Sequence, residues 1–450
     1  MSLKKNYKTS WRSSNMIRMK ESGIDWIGQI PEEWKISKIK FTTQLNGRIG
    51  WQGLTSAEYK EEGPYLITGT DFQNGTINFE TAVHIDERRW SEASQIQVKN
   101  GDLLITKDGT VGKVAIISGL DGKASLNSGV LRIQTIEEID RRFLYYVLLS
   151  DEFWMWFNYT NSGASTILHL YQNVFDEFTF TFPQKNEQQK IADYLDKKIA
   201  QLDRVKRLLE KQIQKLKDYR ASLIYEIVTK GLDQTVPMKD SGIDWIGQVP
   251  EGWGVKPLKY LTEFKNGYAF DSKNLTMEQT GVKVIRIGDF KSSGIDFNAA
   301  LNVFTSFNSK LDFYRVKKSQ ILIAMSGATV GKISFVNQEP NVYSVINQRV
   351  GIIESKINKW IYYCLSTDSF MSYIQLNSNG SAQPNISSSE ISDFKVVIPD
   401  DVAIQRCVKY LDNQFDNINK LIQIKNKQIK NINKQRQTLI YDYVTGKRRV

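Results

Sequence analysis

Ser22 to Trp34 reads SGIDWIGQIPEEW, and Ser241 to Trp253 reads SGIDWIGQVPEGW. Two nearly identical sentences, 219 positions apart in a chain of 450 residues, mean that something is present twice. The echo continues on both sides of these stretches. TVGK stands at Thr110–Lys113 and again at Thr329–Lys332, and GTDF at Gly69–Phe72 answers to GDF at Gly288–Phe290. NSGV at Asn127–Val130 has a looser counterpart in NQRV at Asn347–Val350, and Gly163 corresponds to Gly380. YLD recurs at Tyr194–Asp196 and Tyr410–Asp412, and LIYEIVTKG at Leu223–Gly231 returns as LIYDYVTG at Leu439–Gly446. After a basic leader the chain is therefore two tandem copies of roughly 215 residues, too long for a solenoid repeat.

Each copy has two parts. The first is rich in short β-like runs separated by turn signals. DLLITKDGTVGKVAII (Asp102–Ile117) reads as strand, turn, strand with Asp108-Gly109 at the turn, and QILIAMSGATVGKISFV (Gln320–Val336) repeats it. Helical stretches at 141–159 and 358–375 interrupt the strands, so the class is mixed. The second part follows a strand closed by Pro183 or Pro399, after which Asn186 or Asp401 can cap a helix.

Those helices carry heptads. In the first copy the series is Leu195, Ile199, Leu202, Lys206, Leu209, Ile213, Leu216, Arg220, Leu223 and Ile227. In the second it is Leu411, Phe415, Ile418, Ile422, Lys425, Ile429, Ile432, Arg436, Leu439 and Tyr443. A 3.5-residue period held this long predicts a coiled coil rather than a helix lying on a globular core. The simplest pairing is of the two helices with each other, along a rod of roughly 50 Å at ~1.5 Å per residue. The expected architecture is α+β: two similar β-rich mixed bodies joined by two long helices in an antiparallel coiled coil, with a pseudo-twofold internal repeat. The segments are a basic leader at 1–18, a body at 19–186, a helix at 187–231, a second body at 232–402 and a second helix at 403–450.

Composition narrows the function. The net charge of +11 is spread unevenly: +5 on residues 1–18, −6 on 19–186, +4 on 187–231, 0 on 232–402 and +8 on 403–450. The excess sits on the leader and the helices, which argues against a broad phosphate-binding field on the bodies. Cys364 and Cys407 are too few for a disulfide framework or a zinc site. His84 and His169, the two histidines, read as structural or surface residues. No apolar run approaches the ~20 residues that span a bilayer. The leader lacks the apolar stretch of a signal peptide, so the expected location is cytoplasmic.

Catalytic patterns are missing. GATVGK at Gly327–Lys332 has three residues, not four, before Gly-Lys and is followed by Ile333, so it is not a phosphate-binding loop. The first copy fails likewise, with Val114 after Lys113. There is no zinc-protease motif, no nucleophile elbow with partners and no amino-methyltransferase tetrapeptide. The expectation is no catalytic residue, no metal ligand and no cofactor in this chain.

The ensemble resembles the specificity subunit of type I restriction–modification systems. It is carried by the SGIDWIGQ stretches, by GDLLITKDGTVGKVAI and SQILIAMSGATVGKISF, and by FPQKNEQQKIADYLDKKIAQLD and IPDDVAIQRCVKYLDNQFDNIN, each leading a long helix. The resemblance covers essentially everything after the leader. It implies two target-recognition domains, each reading half of a split double-stranded DNA sequence, and helices that dock two modification (methyltransferase) subunits. It further implies restriction (translocase/endonuclease) subunits as partners, with S-adenosylmethionine bound by the methyltransferase and ATP and Mg by the restriction subunit. Two copies then supply two readers and a pseudo-twofold seat for symmetric partners.

Base edges call for polar and aromatic side chains on loops. The candidates in the first copy are Asn46, Arg48, Trp51, Thr70, Lys107, Thr110, Lys113 and Ser165. In the second they are Asn266, Tyr268, Arg286, Ser326, Thr329, Lys332, Arg349, Gln383 and Asn385. The repeated Asp71 and Asp289 read as structural. The competing expectation is a non-enzymatic coiled-coil scaffold or an RNA-binding protein.

Overall fold

The computed structural model describes residues 18–48, 54–161, 169–278, 281–291, 294–298, 300–303, 310–378 and 384–450. In the first copy the principal elements are β1 (Thr43–Gly47), β2 (Lys60–Ile67), β3 (Leu103–Thr106), β4 (Val114–Ile116), β5 (Ala124–Leu126), β6 (Val130–Thr135), α1 (Arg141–Leu149) and α2 (Asp151–Thr160). The long helix α3 spans Lys185–Lys230. In the second copy they are β7 (Glu263–Asn266), β8 (Val282–Ile285), β9 (Ile321–Ala324), β10 (Ile333–Phe335), β11 (Ser344–Ile346), β12 (Val350–Glu354), α4 (Asn358–Leu365) and α5 (Asp368–Ser378). A second long helix, α6, spans Asp401–Val444.

Contacts divide the chain into two compact units. One runs to Leu208 and adds Lys427–Val450; the other is Leu209–Asn426. In the first unit one four-stranded sheet has the order β4-β3-β6-β1, and the second places β5 parallel to β2. In the other unit the orders repeat as β10-β9-β12-β7, with β11 parallel to β8. The repeat seen in sequence is thus a repeat of topology, down to the parallel pairing of these two strands in each unit.

Both helical stretches expected in the bodies are broken. Ser150 turns extended (φ −77, ψ 163) between α1 and α2, and its Oγ donates to the Val147 carbonyl, ending the first helix. Ser366 and Thr367 divide α4 from α5 without an extended residue at Ser366 (φ −85, ψ 6), and Oγ1 of Thr367 donates to the Cys364 carbonyl. The cap at the start of α6 is Asp400, which accepts from Ala403 N at 2.8 Å, and not Asp401; α3 already begins at Lys185, which puts Asn186 inside its first turn. The turn between β3 and β4 is also longer than two residues, running from Lys107 to Lys113, though Gly109 does take the positive φ (+69) expected of it.

The heptad series match the burial pattern of the helices. Among the described residues every seam position in both series is buried or half-buried, the lysines and arginines included, while the positions between are mostly exposed. Within the first unit the Tyr194 ring packs at a tilt against Tyr443 at 4.7 Å and Asp203 lies 3.9 Å from Arg436. Within the second, Arg220 lies over Phe415 at 4.4 Å and Lys425 Nζ donates to Gln212 at 2.6 Å. In each unit rising numbers on α3 meet falling numbers on α6, so the pairing is antiparallel. The YLD repeat ties body to helix: Tyr146 donates to Asp196 at 2.6 Å, and Tyr363 donates to Asp412.

The duplicated opening stretch forms a clasp around a helix end. In the first unit Tyr441 Oη donates to the Trp26 carbonyl at 2.9 Å, and Lys447 Nζ reaches the carbonyls of Ile27 and Gln29. Trp34 is fully buried, edge-on to Phe143 at 6.3 Å. In the second unit Tyr225 Oη donates to Trp245 at 3.3 Å, and Trp253 stands edge-on to Trp360 at 6.2 Å. Each clasp receives a glycine in the left-handed region, Gly446 (φ +72) or Gly231 (φ +77). A Cβ on Gly446 would lie 2.4 Å from Pro31 Cδ. Gly446→Ala combines that clash with an unfavourable φ and is expected to cost about 1–3 kcal/mol, read as a lower urea midpoint.

One buried group makes stability pH-dependent. Glu152, in the first turn of α2, is fully buried, and neither carboxylate oxygen has a hydrogen-bond partner. Burial holds its carboxyl well above the ordinary value of 4.5. The folded state therefore keeps a proton that the unfolded chain releases, so stability falls as pH rises above about 4.5, by ~1.4 kcal/mol per pH unit until the folded group ionises. Glu152→Gln removes the linkage. It is expected to raise the melting temperature at pH 8 clearly more than at pH 5; equal shifts at both would contradict it.

Candidate nucleic-acid interface

Five segments of the first unit meet at the end of its sheets. The Arg48 guanidinium, just past β1, donates to Leu126 O at 2.9 Å and to Ser125 Oγ at 3.3 Å. Asn127 N then bonds Ile67 O at 2.9 Å, fixing the loop after β5 to the end of β2. Across the β3–β4 turn, Lys107 N bonds Gly129 O at 2.8 Å, and Leu170 N bonds Lys107 O at 2.9 Å. Thr110 Oγ1 (3.5 Å) and Lys113 Nζ (3.3 Å) both donate to Gly69 O, bringing in the loop that bears Thr70. Loop tips with their backbone groups already paired leave side chains free to face a ligand.

The second unit repeats the stitching with different side chains. Met325 N bonds Arg349 O at 2.9 Å, and Ile386 N bonds Met325 O at 3.0 Å. Lys332 Nζ donates to Phe290 O at 2.8 Å, and Tyr268 N to Ile346 O at 3.0 Å. Arg349 Nη1 reaches Asn385 Oδ1 at 3.4 Å, and Asn266 Nδ2 reaches Ser388 Oγ at 3.4 Å.

The structure separates the candidate residues by environment. Thr70 and Thr110 are exposed and Lys107 half-exposed at the first surface, as are Asn266, Tyr268, Arg349 and Asn385 (all exposed) at the second. Asn46 is half-buried on β1, opposite Arg132, and its Oδ1 is buried without a partner. Arg48 is turned inward and only 4% exposed; burial pulls its guanidinium below the ordinary value, and it holds two strand ends together instead of presenting its fork outward. Lys113 and Lys332 each commit their ammonium to a backbone carbonyl, which makes them latches between hairpin and neighbouring loop. Ser326 is buried and bridges to Asn385, and Thr329 Oγ1 is buried. Arg286 lies beside Asp289, its Nε 4.0 Å from the carboxylate. Trp51, Ser165 and Gln383 lie outside the described residues.

Asp71 and Asp289 cap their loops, accepting from Thr68 N at 2.7 Å and Arg286 N at 2.8 Å. One residue was absent from the candidates. His169, set aside as structural or surface, precedes Leu170 as Asn385 precedes Ile386, on the same backbone bond to the hairpin. The sequence offset that relates them, 216, is the signal that could have found it.

The described residues hold no cluster of metal-ligating side chains, and none of their helices is long and apolar enough to cross a membrane. Comparison with known proteins gives the affiliation. The profile of the type I restriction modification DNA specificity domain matches residues 31–217 and again 250–431. The chain belongs to that family. It carries two such specificity domains, in a class of subunit that is not itself catalytic. The MjaVIII type I restriction enzyme specificity subunit of Methanocaldococcus jannaschii is 25% identical over 94% of both chains. The EcoBI specificity subunit of Escherichia coli is 25% identical over 72% of this chain and 66% of its own. A solved chain from a study of type I restriction–modification assembly and conformational transition shares the fold, with a TM-score of 0.68 at 14% identity over 92% of this chain and 98% of that one. These relatives lend no support to a free-standing scaffold or an RNA-binding protein.

Proposed function

We propose that this specificity chain reads a split, asymmetric double-stranded DNA sequence, one half-site per body, and that its helix pair seats two methyltransferase subunits. The observation that carries the reading is the pair of stitched surfaces. The same backbone bonds join Lys107, Gly129 and Leu170 in one unit and Met325, Arg349 and Ile386 in the other, and so place their neighbours Asp108 and His169, Ser326 and Asn385. One frame with two sets of polar tips is what two different half-sites require, because base identity is read by donor and acceptor placement on the groove edge. Under this reading Thr70, Lys107, Thr110, Asn266, Tyr268, Arg349 and Asn385 face DNA. Arg48, Lys113, Lys332, Ser326 and Thr329 position the loops. The methyltransferase would bind S-adenosylmethionine and extrude the target base, and ATP and Mg would belong to a restriction subunit.

Exchange of residues 19–186 for the equivalent body of a relative tests the proposal. Methylation mapping of the chimera is expected to show one half-site replaced, with the other half-site and the spacer unchanged. Altered bases in both halves would contradict modular reading.

A further inference from the structure

His169 Nδ1 lies 2.8 Å from Asp108 Oδ1. A carboxylate only accepts, so Nδ1 carries the hydrogen and Nε2 is the atom left to meet a ligand. Among the described residues Nε2 has no hydrogen-bond partner. The ring is held rather than loose. Tyr171 lies against it at 5.7 Å and 35°, and Leu170, next in the chain, is fully buried and bonded to Lys107. Asp108 follows Lys107, whose N–H is bonded to Gly129 O at 2.8 Å, so the hairpin fixes the backbone that carries it. A half-exposed imidazole with one nitrogen anchored and the other free is a preoriented single-atom contact.

The second unit presents the opposite polarity at the corresponding point. A guanidinium only donates, so Arg349 takes the Oδ1 side of Asn385 and leaves its Nδ2 donors outward. In the first unit Asp108 takes the Nδ1 hydrogen of His169, which in the neutral form of the imidazole leaves the Nε2 lone pair as an acceptor.

Resting on the DNA-reading function proposed above, we propose that neutral His169 is a specificity-determining residue of the first half-site. Its Nε2 accepts from the exocyclic amino group of an adenine or cytosine in the major groove, the two bases that offer a donor there. Asp108 is the positioning residue that sets the tautomer.

The test uses the complex with its methyltransferase, with the wild-type recognition sequence first mapped by methylation and the first half-site assigned by body exchange. His169→Ala is expected to relax discrimination at one position of that half-site by about 10-fold, leaving other positions unchanged. Asp108→Asn is expected to act at the same position, because an amide can donate to Nδ1 and convert Nε2 into an N–H donor. The shift should then favour guanine or thymine, which offer acceptors. Melting temperatures of both variants control for folding. Unchanged discrimination or a uniform loss at every position would overturn the assignment. A wild-type complex that methylates no split sequence would remove the underlying reading and the proposal with it.

Discussion

Under the proposed function, the chain alone is expected to bind DNA at least ~100-fold more weakly at ~0.15 M salt than a complex with methyltransferase subunits, with a steep salt dependence. The reason is where the charge lies. Residues 19–186 carry −6 and 232–402 carry 0, so neither body has a net field for phosphate. The structure sharpens the point, because Lys113 and Lys332, lysines of the two candidate surfaces, spend their ammonium groups on the carbonyls of Gly69 and Phe290. Arg48 is likewise turned inward. What remains outward is mostly neutral: threonines, asparagines and Tyr268, groups suited to reading bases and poor at holding a polyanion. Partner subunits closing around the duplex would add the missing phosphate contacts. Titrating labelled duplex with the isolated chain and with the complex, at two salt concentrations, gives both numbers. Nanomolar, sequence-selective binding by the chain alone would contradict the charge argument.

Trp34→Ala is expected to destabilise the first unit by about 3–5 kcal/mol, the range for emptying a large aromatic site. Trp34 has no exposed surface, stands edge-on to Phe143 and lies within 3.3 Å of where a Cβ on Gly446 would be. Its loss empties a site bounded by both the duplicated clasp and the helix end that the clasp receives. The second unit has its own tryptophan, Trp253, against Trp360 and keeps it in this variant. Urea unfolding of Trp34→Ala should therefore move one transition to lower denaturant and leave the other in place. A single transition displaced as a whole would mean that the two units unfold together.

Patterns with a period or an exact echo were legible from residues alone. The seam from Leu195 to Ile227 and from Leu411 to Tyr443 shows because burial along a paired helix repeats every 3.5 residues. The β3–β4 hairpin shows because two apolar runs flank Asp108-Gly109. The helix breaks at Ser150 and at Ser366–Thr367 were not legible, since a serine inside an apolar run is as compatible with continuation as with a stop until its hydroxyl is seen on the preceding turn. Side-chain direction was the other blind spot. Arg48 and Lys113 have the composition of DNA contacts, yet three-dimensional neighbours far off in sequence, Leu126 and Gly69, decide that they point at carbonyls. His169 was passed over for the complementary reason. Its kinship with Asn385 lies in a backbone bond to a hairpin some 60 residues earlier, as the 61-residue separation of its Asp108 partner illustrates.

The partition of the contacts also orders events in time. The first unit needs Lys427–Val450, whereas the second is complete at Asn426. At ~5–20 residues per second, synthesis of the stretch Leu209–Asn426 takes roughly 10–40 s. Throughout that interval the nascent first unit has Trp34 without Gly446 beside it and Tyr194 without Tyr443, so apolar surface stays open to chaperones and to misassociation. The unit encoded second thus has its whole sequence synthesised first, and the unit encoded first waits, half-built, for the final turns of α6.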